Sequence, residues 1–82
     1  MDGDLVGKVI HYYDKIGVAI IKLDKSIKVG DKLKFVKNDE EFEQIIESMQ
    51  IEHEQITEGK KGQEIGIKVS QAEKEGTLVY KI

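Results

Sequence analysis

Apolar residues on every second position, in runs too short for a helix, are the strongest constraint on what this chain can fold into. In Gln63-Glu64-Ile65-Gly66-Ile67-Lys68-Val69, the side chains of Ile65, Ile67 and Val69 fall on one face and Glu64, Gly66 and Lys68 on the other. Residues 31–36 repeat the pattern, with Leu33 and Phe35 opposite Lys32 and Lys34. Successive side chains of an extended strand point to opposite faces, so each run reads as a half-buried strand, the second with a lysine-covered outer face. Residues 5–13 and 16–23 are rich in β-branched and aromatic side chains, and residues 77–82 make a last strand through Leu78 and Tyr80. Val18-Ala19-Ile20-Ile21 is too apolar to alternate, which predicts cover on both faces for part of that strand.

Polar, glycine-bearing stretches separate these runs. Lys28-Val29-Gly30-Asp31 is a turn in which glycine adopts positive φ without a Cβ penalty. Residues 54–62 read as a polar loop anchored by Ile56, and residues 71–76 as a charged turn. Residues 42–53 are ambiguous. Phe42, Ile45, Ile46 and Met49 fit an amphipathic helix, whereas Met49 and Ile51 alternate as in a strand, and a bulge near Ile45 and Ile46 would reconcile one long strand with both. Local pattern supports helix and strand alike. No repeat, low-complexity tract or linker interrupts the chain. Short strands joined by such turns describe a small barrel or sandwich.

Eighty-two residues make one domain, with residues 1–4 expected to be disordered and 5–82 to form the folded unit. With no cysteine, disulfides and thiolate sites are excluded. Charged residues of both signs make up 35% of the chain at a net charge of -3, a solubility pattern and not the footprint of an autonomous nucleic-acid binder. No apolar run approaches the ~18 residues of a membrane span. The acidic start, Met1-Asp2-Gly3-Asp4, lacks the basic and apolar regions of a secretory signal, so a cytoplasmic location and no membrane partner are expected.

The order of motifs resembles a known family. Val6-Gly7-Lys8-Val9 opens a strand, Lys15-Ile16-Gly17-Val18-Ala19 begins its partner, and Lys28-Val29-Gly30-Asp31-Lys32-Leu33 enters the third. Ser48-Met49-Gln50-Ile51 then leads to Glu58-Gly59-Lys60-Lys61-Gly62-Gln63-Glu64-Ile65-Gly66-Ile67. This series is similar to domain two of translational GTPases such as elongation factor Tu, and to stand-alone elongation factor-like proteins of prokaryotes. A similar barrel also ends some collagenase-like bacterial peptidases. The resemblance covers residues 5–82 and implies an all-β fold, a small six-stranded Greek-key β-barrel, with residues 42–53 as strand. Two positions depart from the pattern. Gln63 stands where the family carries an acid, so its turn is expected to lack a carboxylate anchor. Ile16 precedes Gly17 where the family places the arginine of its tRNA-end pocket, so that pocket does not carry over.

Gly59-Lys60-Lys61-Gly62 precedes a strand and is not a phosphate-binding loop, which needs a helix after it, so no nucleotide is expected. His11 and His53 are too few for a zinc site, and no cofactor is implied. Ser26, Ser48 and Ser70 have no histidine beside them in sequence, and the chain is read as no enzyme. The sharpest local feature is His11-Tyr12-Tyr13-Asp14-Lys15, where alternation sends His11 and Tyr13 to one face and Tyr12 to the other. His11, Tyr12, Tyr13 and Lys15, with His53, and Lys60 and Lys61 as a second point, are the candidate contact residues. The resemblance implies a non-catalytic binding module that contacts the ribosome, tRNA or another ribonucleoprotein. The alternative is a protein-binding accessory barrel, as at the end of the peptidases.

Overall fold

A computed structural model describes residues 3–38, 40–52, 54–70 and 74–82. The strands are β1 (Asp4–Tyr13), β2 (Val18–Leu23), β3 (Ile27–Lys28), β4 (Lys32–Lys37), β5 (Glu40–Ile45), β6 (Met49–Ile51), β7 (Glu54–Ile56), β8 (Glu58–Gly59), β9 (Glu64–Lys68) and β10 (Leu78–Lys81). There is no helix among the described residues, and the domain is all-β.

Eight strands form one antiparallel sheet in the order β5-β4-β10-β1-β2-β9-β6-β7, and β3 pairs with β8 in a separate ribbon. The expected six-stranded Greek-key barrel is corrected here: the sheets do not close. The edge strands β5 and β7 share no ladder. Along β9, β6 pairs Met49 with Ile67 and Gln50 with Gly66. The next stretch is met by a side chain. Gln44 Nε2 donates to the Lys68 carbonyl at 2.8 Å, and the Ser70 amide donates to Gln44 Oε1 at 3.0 Å. The primary amide thus offers the donor and acceptor that a neighbouring peptide group would supply.

The sheet curls because β1 carries two irregularities, one between Leu5 and Gly7 against β10 and one between Val9 and His11 against β2. An extra residue in one strand bends it and increases its twist. Val6, Val9 and Tyr12 therefore all contribute to the core at a spacing of three residues. At Gly7 the backbones approach so closely that a Cβ would lie 2.5 Å from the Lys22 carbonyl oxygen. Into the resulting concavity point Ile21, Leu33, Phe35, Ile65, Ile67 and Val79, each at most 1% exposed. Val18 and Ala19 are both buried, in keeping with a strand covered on two faces.

Residues 42–52 are neither a helix nor one bulged strand. β5 ends at Ile45, which is exposed, and Ile46 is buried by pairing with the turn before β4. Its amide donates to the Asp31 carbonyl and its carbonyl accepts from the Gly30 amide, both at 2.9 Å. The stretch expected as a loop after it holds β7 and β8. The outer face of β4 also differs from expectation, since Lys34 is only 6% exposed. It lies between Tyr80 and Glu43 in the ladder, with its ammonium 3.0 Å from Glu41. In β10 it is Val79 that enters the core, while Leu78 and Tyr80 are half-buried.

A short repeat escapes a reading by composition. Lys-x-Gly recurs at 28–30, 60–62 and 74–76, each time with the glycine at positive φ and the next residue's amide donating to the lysine carbonyl at 3.0–3.1 Å. That is the requirement of a type II turn. The residue after the glycine anchors each one. Asp31 Oδ2 accepts from the Lys28 amide at 2.9 Å, Gln63 Oε1 accepts from the Lys60 amide at 2.7 Å, and the Thr77 hydroxyl donates to the Lys74 carbonyl at 2.6 Å. The turn at Gln63 has no carboxylate anchor, and the side-chain amide oxygen takes that place, because the acceptor need not be charged.

Two stability outcomes follow from these contacts. Gln44→Leu removes the clasp and is expected to cost about 1 kcal/mol, read in urea unfolding as a lower midpoint at unchanged slope. Gly7→Ala forces backbone displacement and should cost about 3 kcal/mol. Gly30→Ala meets open space and only the φ penalty, about 1 kcal/mol; equal losses at the two glycines would contradict the close approach at Gly7.

Candidate functional site

The outward face of β2, β9 and β6 carries a groove. Ile20, Gly66 and Gln50 share one row across the three strands, flanked by the rows Lys22–Glu64 and Val18–Lys68. A Cβ at Gly66 would lie 3.1 Å from Val18 Cγ1 and 3.4 Å from both Ile20 Cδ1 and Gln50 Cγ, tighter than ordinary contact, so these side chains close in on a glycine that lines the groove.

One wall comes from the end of β1 and the turn after it. The Tyr13 carbonyl accepts from the Gly17 amide at 2.9 Å, and the Gly17 carbonyl accepts from the Val69 amide at 2.9 Å, which fixes the turn against β9. The geometry pushes Ile16 outward to 58% exposure, with Tyr13 at 48%. Two depressions meet beneath Ile16 and share Gln50 and Gly66 as well. One, of about 350 Å³, extends to Tyr13, Ile20, Glu52 and Glu64. The other, of about 300 Å³, extends past Val18 to Ser48, Gln55 and Lys68. The groove is apolar at its centre, lined by Glu52 and Glu64 at one end, where Lys22 stands opposite Glu64, and by Lys68 at the other.

The surface ion pairs lie away from it. Lys32 is 3.2 Å from Glu43, Lys34 is 3.0 Å from Glu41, and Lys81 is 3.6 Å from Asp31. Among the described residues no ion pair engages Glu52 or Glu64.

The structure distributes the expected contact residues unevenly. Tyr13 lines the groove, and His11 stands beside it with its ring 4.4 Å away in an edge-on arrangement. His11 Nδ1 is 3.4 Å from Glu75 Oε2. Tyr12 turns inward against the core. Lys15 is exposed in the turn before Ile16, and Lys60 and Lys61 are exposed in the turn between β8 and β9, neither lining the groove. His53 lies outside the described residues. Ile16, Ile20, Gln50, Glu64 and Gly66 escaped the sequence reading as site residues. Two signals were present: a glycine at an outward position of an alternating strand, and an isoleucine in a polar turn.

An all-β module of this architecture occurs at the end of larger proteins. The C-terminal domain of a candidate U32 peptidase from Geobacillus thermoleovorans superimposes with a TM-score of 0.90 at 22% identity, covering 95% of this chain and 99% of that one. A second crystal structure of that domain gives 0.89 at 22% identity over 96% and 92%. No protein-family model matches the chain. In sequence, the chain is 36% identical over 76 residues to an uncharacterised protease of Methanocaldococcus jannaschii. The match takes in 92% of this chain and 19% of that protein, so the chain spans about a fifth of its curated relative's length.

These findings overturn the elongation-factor identity: the similar proteins are a protease and the C-terminal domain of a candidate U32 peptidase, not domain two of the translational GTPases. The motifs misled for a physical reason. Gly30 and Gly62 sit at the positive-φ position of type II turns that enter half-buried strands, where glycine is favoured whatever the protein.

Because Ile16 and Glu64 face solvent, Ile16→Asp and Glu64→Lys are each expected to shift unfolding free energy by less than about 0.5 kcal/mol. Urea titration checks this; a larger loss would mean that the groove wall is part of the fold's support.

Proposed function

We propose that this domain is a non-catalytic, protein-binding accessory module of a peptidase-type protein, acting through the groove on β2, β9 and β6. The observation that carries the reading is its likeness to the C-terminal domain of the candidate U32 peptidase, over 99% of that chain, joined by 36% identity to a protease of which it spans 19%. The groove supports it: exposed apolar side chains around a depression, rimmed by charge, are features of a binding surface. The polar groups present support a non-catalytic role. The Ser70 hydroxyl lies 3.4 Å from Gln44 Oε1 within the clasp, while His11 faces Glu75. A hydroxyl nucleophile needs a base within hydrogen-bond reach.

Affinity capture with the tagged domain in lysate of its native host, with and without nuclease, tests the reading. The expected result is a peptidase-related protein, identified by mass spectrometry, that stays bound after nuclease. Loss of the captured material on nuclease treatment, or hydrolysis of fluorogenic peptides by the purified domain, would count against it.

A further inference from the structure

We infer that the groove receives an extended peptide in which a basic residue, an aliphatic residue and an acidic residue stand at alternate positions. The inference rests on the protein-binding reading above and names its ligand.

The pattern follows from what β9 presents outward. Glu64, Gly66 and Lys68 lie on one face of a single strand, two residues apart and therefore about 7 Å from one another. An extended peptide laid along this face repeats the same spacing, so its alternate side chains meet those three positions in turn. The central one enters the depression of about 350 Å³ walled by Tyr13, Ile16, Ile20 and Gln50. An aliphatic side chain removes their exposed apolar surface from water, which supplies the affinity. The neighbour on one side meets Glu64 and Glu52, which no described cation engages. The neighbour on the other side meets Lys68. The face carries mixed charge, with Lys22 opposite Glu64, Glu52 beside them and Lys68 at the far end, so it offers no basic track for a phosphate backbone, which favours a peptide over a nucleic acid. Charge at the ends fixes direction and selects against wrong partners, while the apolar centre holds.

The probe is a fluorescein-labelled peptide with the core Lys-Gly-Leu-Gly-Glu between glycines, followed by fluorescence anisotropy at low salt. Replacing its leucine by glycine, or its lysine by glutamate, is expected to weaken binding at least tenfold. Ile16→Asp should weaken the parent peptide similarly at unchanged unfolding midpoint. Glu64→Lys should reverse the order, so that the peptide with glutamate in place of lysine binds better than the parent. Equal binding of all peptides, or no effect of Ile16→Asp, overturns the inference. So does concentration-dependent dimerisation that Ile16→Asp abolishes without any peptide binding, since the occupant would then be a second copy. If the protein captured from lysate is held equally by wild type and Ile16→Asp, the accessory reading stands and the groove assignment falls.

Discussion

A sheet of this size, with no disulfide to cross-link it, gains a core only by bending until one of its faces meets itself. Strand β1 imposes that bend. It pairs with both β2 and β10, and its two irregularities bring Val6, Val9 and Tyr12 to the same side. An unbulged strand would alternate them between core and solvent. At Gly7 the backbone meets that of β2 with no room for a Cβ, as it does at Gly3 against Lys81. The buried side chains of β2, β9, β4 and β10 share a common focus only because the sheet is curved.

Curvature leaves a second problem, which is what to do with the margins. Exposed strand edges invite pairing with other chains. Here β6 covers part of the edge of β9 and the Gln44 amide covers more, so the margins approach through one side chain instead of a ladder. That arrangement explains why the fold was legible in the sequence and its closure was not. Alternation at Leu33 and Phe35, and at Ile65, Ile67 and Val69, is a property of neighbouring residues, and the structure keeps it. The Gln44 clasp joins positions more than twenty residues apart, and nothing in the local pattern marks one glutamine among many polar residues. The same holds for residues 42–53. Ile46 is buried by a turn distant in sequence, which no window of neighbours reveals.

The candidate site was legible in fragments. Tyr13 was visible because an aromatic residue at the end of a strand stands out, and it does line the groove. Lys60 and Lys61 were equally conspicuous and line neither depression. Conspicuous chemistry is a poor guide when a depression is defined by strand register. Gly66 lines both depressions, and does so beside Ile20 and Gln50, which the register brings to it. Ile16 was noticed for the arginine it replaces, whereas its position in a fixed turn makes it the most exposed of the large hydrophobic residues described.

The two outer faces of the sheet are built differently, and the contrast bears on which one meets a partner. On β4, β5 and β10 the exposed apolar residues are interleaved with paired charge: Ile45 lies opposite Lys32, which reaches Glu43, and Leu5 lies opposite Tyr80, beside the Lys34–Glu41 pair. The exposed Lys32–Glu43 pair adds little stability. The effect of both pairs is to satisfy the surface within the molecule and to break its apolar residues into single points, an arrangement suited to water. On β2, β9 and β6 the apolar residues gather around a depression, and the carboxylates beside them engage no described cation. Charge not spent within the fold is available to a ligand, and an apolar depression supplies the contact area. The same sheet therefore shows one face adapted to solvent and another with its interactions still to be made.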